Sequence, residues 1–69
     1  MTIKVWIYII VEWGVNHYYC AMNDDDTVSV ADIDDNGKGI KVVMRHYLLP
    51  DWCLKNGYEC RVVVKEIEI

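Results

Sequence analysis

The chain has 69 residues, 54% of them apolar and 26% charged. That is the composition of one small globular domain (1–69), too short for a two-domain enzyme, a dinucleotide-binding Rossmann unit or a membrane bundle. The formal net charge is −4 and unevenly spread: residues 5–37 hold seven acids and no Lys or Arg, whereas residues 38–69 hold six bases and four acids. An anionic first half repels a phosphate backbone and attracts basic surfaces, which argues against direct nucleic-acid binding and for a basic nucleic-acid-binding protein as partner.

The first apolar run, residues 3–13, is rich in β-branched and aromatic types and predicts a strand buried on both sides. Its Val5–Val11 core resembles a signal h-region, but Glu12 and Trp13 follow it without a small-residue cleavage site, and seven residues cannot span a bilayer. Cys20, Cys53 and Cys60 are odd in number and cannot all pair within one chain. The expectation is therefore a reduced, cytoplasmic protein without a membrane segment.

Gly14 ends the first strand, and residues 15–22 predict a second, paired with it as a hairpin around Trp13-Gly14. Asn23-Asp24-Asp25-Asp26 is polar, self-repelling and turn-forming. Residues 27–33 predict a third strand, followed by a hairpin turn at Asn36-Gly37. In residues 40–49 the apolar positions fit a helical stripe (Ile40, Val43, Met44, Tyr47, Leu48) and also a strand; the hairpin signal and the adjacent Val42-Val43 favour strand, with a helix as the alternative. Pro50 and the Asn56-Gly57 exit predict one helical turn near 50–56, and residues 58–69 alternate as a final strand whose last stretch, Lys65–Ile69, is a solvated edge.

The expected fold is mostly β: a small five-stranded antiparallel sheet or an SH3-like barrel with one helical turn, the alternative being an α+β domain with residues 40–49 helical.

No set of residues carries a catalytic signature. Cys20 and His17 lack a nucleophile elbow or an oxyanion loop, and a domain this small has little room for a substrate pocket, so the chain is expected not to be an enzyme. Asp32, Asp34, Asn36 and Gly37 match the first half of an EF-hand loop, but Val43 stands where the bidentate Glu belongs. His17, Cys20, Cys53 and Cys60 would make a tetrahedral zinc set only if folding joined both pairs, and isolated cysteines in β-rich cores are usually small hydrophobes. No metal or cofactor is expected.

The candidate binding residues are the acids Asp24, Asp25, Asp26, Asp32, Asp34, Asp35 and Glu12, with Trp13 and Tyr18 as anchors. The chain has three Trp, five Tyr and no Phe, so every large ring carries a polar handle suited to contact surfaces. Alternate residues of a strand share a face at ~6.6 Å spacing, so Asp32 and Asp34, joined by the neighbouring loops, would form a row of negative charge comparable to a phosphate backbone.

In size, acidity and acidic loops (Asn23-Asp24-Asp25-Asp26, Asp32-Ile33-Asp34-Asp35) the chain resembles phage-encoded inhibitors that imitate DNA, among them many anti-CRISPR proteins. The resemblance implies a stoichiometric inhibitor in the host cytoplasm that occupies a DNA-binding groove of a defence complex such as a CRISPR effector. The rival reading is a β-type adaptor or structural module whose acidity is incidental, with a homodimer through an edge strand.

Overall fold

The computed structural model describes residues 1–69 and is mostly β. Five strands run in chain order: β1 (Thr2–Glu12), β2 (Val15–Ala21), β3 (Thr27–Ile33), β4 (Gly39–Arg45) and β5 (Glu59–Glu68). A single 3-10 turn (His46–Leu48) leads into one helix, α1 (Leu49–Asn56), before β5. They form two antiparallel sheets, β2-β1-β5 and β3-β4, and no closed barrel. The single five-stranded sheet and the SH3-like barrel are both corrected by this: β2 lies beside β3 without a hydrogen-bonded ladder, so the sheet breaks there.

The β1–β2 hairpin turns at Trp13-Gly14 as its sequence predicts, with φ of 53° and 75°, the double left-handed pair of a type I′ turn. The second hairpin forms where Asn36-Gly37 predicts it, through a longer turn. Gly37 alone is left-handed (φ 80°), and its N–H donates to the Asp34 carbonyl at 3.0 Å, so the Asp34–Gly37 segment makes a four-residue turn rather than a two-residue Asn-Gly loop. Asp34 holds that wider turn, its Oδ1 accepting from the N–H groups of Asn36 (2.9 Å) and Lys38 (2.8 Å).

Residues 40–45 are strand, as favoured, but the strand ends at Arg45 and His46 begins the 3-10 turn. Gly57 closes α1 in the left-handed conformation (φ 75°), and its N–H reaches the last carbonyls of the helix. Leu49 and Cys53, four residues apart on α1, are fully buried.

One core sits between the two sheets and α1. Tyr8 and Ile10 of β1, Val28 and Val30 of β3, and Leu49 and Cys53 of α1 form it, with Trp6, Val42, Met44, Trp52 and Tyr58 packed around them. Only the even-numbered residues of β1 enter this cluster; on the other face Val5 is buried and Ile3, Ile7, Ile9 and Val11 are half-buried. The expectation that β1 is buried on both sides holds in part: no residue from Val5 to Glu12 is exposed, but no further element packs on the second face. From Arg61 onward every residue of β5 is exposed, in line with the predicted edge strand.

Candidate functional site

The six nominated aspartates all belong to the β3–β4 hairpin and the loop that enters it. Residues 23–45 hold these six acids and three bases, Lys38, Lys41 and Arg45, and so carry −3 of the chain's −4. The hairpin is thus the anionic part of the molecule. None of the six carboxylates is in a salt bridge; Glu59–Arg61 at 3.4 Å is an ion pair, and Glu12–His17 at 3.8 Å becomes one when His17 is protonated.

The structure does not gather these aspartates into one row. Asp24, Asp25 and Asp26 lie where the chain enters β3, and Asp32, Asp34 and Asp35 where it leaves, so the two groups are roughly 25 Å apart along the strand. An extended strand cannot bring its own ends together, and the expected single row is corrected to two separate acidic ends.

Local hydrogen bonding divides the six further. Asp26 Oδ2 accepts from the N–H groups of Met22 (2.8 Å) and Asn23 (3.0 Å), which fix the loop into β3 and hold its carboxyl below the usual carboxylate range. Asp34 serves the hairpin turn, and Asp32 Oδ1 accepts from the Ile33 N–H at 2.8 Å. These bonds turn the oxygens of the EF-hand-like segment onto their own backbone. Asp24, Asp25 and Asp35 are exposed, and their side chains make no hydrogen bond or ion pair, which leaves them the carboxylates free for a partner. The Arg45 guanidinium sits beside the first loop and donates to the Asp25 carbonyl at 2.6 Å.

The other nominated residues lie on the three-stranded sheet. Glu12 faces the hairpin side with His17, lining a pocket of about 70 Å³ between β1, β2, β3 and α1. A volume of that order holds a water or two, well below the ~300 Å³ at which small-molecule sites begin. Trp13 stands at the hairpin tip, 95% exposed and left-handed, a conformation that costs a bulky residue about 1–2 kcal/mol and gains it no packing here. Tyr18 pairs with Ile9 and projects from the sheet face opposite the aspartates, so it does not join their surface.

No group of three or more His, Cys, Asp or Glu side chains is placed to hold a metal ion. His17 and Cys20 are three apart on one strand and point to opposite faces, which splits the first pair of the zinc set. Cys53 lies against Cys60 in the interior, and burial pushes its thiol up to about 12.

Sequence reasoning missed His46. It is 2% exposed, its Nδ1 lies 2.7 Å from the Tyr8 hydroxyl, and its Nε2 is buried without a partner. Its ring packs at 4.9 Å from Trp6, over which the Lys4 ammonium sits at 5.0 Å. No sequence signal marked it, because a histidine next to Arg45 and Tyr47 has the composition of an exposed segment.

No family model matches the chain, and neither a curated protein nor a solved structure matches it. No helix is long and apolar enough to cross a membrane.

Proposed function

We propose that the chain is a non-catalytic acidic binding protein whose β3–β4 hairpin engages a basic surface of the kind that nucleic-acid-binding proteins present. The observation that carries this reading is the concentration of charge: six aspartates on the β3–β4 hairpin and its entry loop, none ion-paired, three of them free of any side-chain hydrogen bond. Lys and Arg clusters that bind phosphates would form the same charge-assisted contacts with these carboxylates. Two acidic ends on a stiff hairpin suit a groove with cations at both margins better than a continuous track.

Trp13 supports the reading from another direction. A Trp in a left-handed turn position, fully exposed, opposes the folding preference for Asn or Gly there, and such conflicts concentrate at contact sites. The groove of a CRISPR effector, which the class resemblance implies, is one surface of this chemistry.

The test is competition: the chain and a cognate DNA duplex are titrated against a guide-loaded CRISPR effector. The reading expects the chain to displace the duplex at 50 mM salt and to lose that ability as salt rises. An absence of displacement at low salt would remove the effector as partner, and weak, salt-insensitive binding would remove the electrostatic mechanism.

A further inference from the structure

The β2-β1-β5 sheet has two faces, and the rest of the molecule covers one. Directly paired residues share a face, so the register puts Ile3, Val5, Ile7, Ile9 and Val11 of β1 on the side away from the hairpin, with Tyr18 of β2 and Arg61 of β5 flanking Ile9. All residues that form or pack against the core come from other positions. The outer face is therefore an apolar row that no other strand or helix of this chain packs against, with Val5 buried and Ile3, Ile7, Ile9 and Val11 half-buried within the sheet itself.

The molecule as a whole exposes more surface than a compact chain of its mass. A compact monomer of 8.1 kDa exposes about 4,500 Å², whereas this chain exposes 5287 Å². The excess over the whole surface, about 800 Å², to which the elongated 48 × 24 × 16 Å shape contributes, is of the size that each partner contributes to a standard interface. The radius of gyration agrees, at 13.4 Å against the about 11 Å expected for a compact chain of this length.

We propose that a second copy of this chain covers the face, forming a two-fold sandwich with the β1 rows stacked on one another. Charge permits a second copy despite the net −4. The charged residues on this face are Glu59, Arg61 and Lys65, a local +1, and all six aspartates of the hairpin lie on the far side. Self-repulsion is thus directed away from the contact.

The rings and cations also select the axis. A two-fold axis along β1 sets β5 of one copy over β2 of the other at the ~10 Å spacing of packed sheets. Tyr18 and Arg61 both sit at the level of Ile9, so Arg61 of the second copy then lies over Tyr18, a cation–π pair on each side of the apolar row. An axis across the strands would instead stack β5 on β5 and oppose the two cationic rows. Because the hairpin faces outward in the sandwich, this inference stands independently of the acidic-binding reading.

The experiment is sedimentation equilibrium of the full chain from 1 to 500 µM, repeated for Ile7→Lys and for the double variant Tyr18→Ala/Arg61→Glu, with circular dichroism as a check on folding. The wild type is expected at twice the 8.1 kDa chain mass, Ile7→Lys as monomer, and the double variant with a dissociation constant raised at least about tenfold. Tyr18 and Arg61 are exposed, so the double variant carries the test if Ile7→Lys does not fold. A wild type that stays monomeric at 500 µM overturns the proposal. So does a dimer that tolerates the substitutions and whose amide exchange shows new protection of β5, since that pattern marks edge-to-edge pairing.

Discussion

The Tyr8 hydroxyl and His46 Nδ1 lie 2.7 Å apart in the interior, joining the central strand of the larger sheet to the turn that follows the hairpin. With the ring proton on Nε2 the hydroxyl donates to Nδ1, and that Nε2–H is then the buried group without a partner. The His46 backbone N–H donates in turn to the Asp26 carbonyl at 3.0 Å, so the bond also anchors the first acidic loop.

Removing one member of this pair leaves the other buried and unsatisfied. Tyr8→Phe is expected to cost about 1–3 kcal/mol, which lowers the melting temperature by roughly 4–8 °C per kcal/mol in a domain of this size. The combined Tyr8→Phe/His46→Leu variant removes both polar groups and is expected to recover part of the loss. Thermal melts of the two single variants and the double variant measure the coupling; strict additivity would contradict it.

At the first hairpin, Trp13→Asn exchanges a strained exposed ring for a residue suited to the left-handed position. Stability is expected to rise by about 0.5–1 kcal/mol, read by urea denaturation, while affinity for the basic partner falls. A variant that gains stability without losing affinity would take Trp13 out of the binding surface.

Asp26 gives the fold an acid-sensitive component. Backbone hydrogen bonds depress its folded-state pKa below the ordinary 3.8, so its contribution is complete above that value and is lost as the pH falls through the lower folded value. In Asp26→Asn that component is absent, and the stability curve below pH 4 is expected to be flatter than that of the wild type in acid-titration circular dichroism.

The three thiols are expected to separate in reactivity. At pH 8 a thiol whose pKa stands at about 12 has a thiolate fraction of only about 10⁻⁴, and Cys53 is fully buried besides. Iodoacetamide labelling followed by peptide mapping should modify the exposed Cys20 first and Cys53 last. Early loss of Cys53 would mean that α1 opens readily.

Much of the fold was legible because local chemistry decides it. Thr27–Ile33 carries strand alternation between two loops of turn residues, and Pro50 with Gly57 brackets α1. The break between the two sheets was not legible, since it depends on how β2 meets β3 across space and no residue of the Asn23–Asp26 loop encodes that. The same non-local fact explains the candidate site. The aspartates could be read off the chain, but their division into two ends depends on β3 being straight, and the separation of Tyr18 from them on β2 having its own partner in β1.

The most direct test of the acidic hairpin is the affinity of Asp24→Asn/Asp25→Asn/Asp35→Asn for the basic partner, measured by isothermal titration at several salt concentrations. These three carboxylates hold no turn together, so folding should be unchanged while affinity falls at least about tenfold and its salt dependence becomes shallower. Wild-type affinity with an unaltered salt slope would contradict the account.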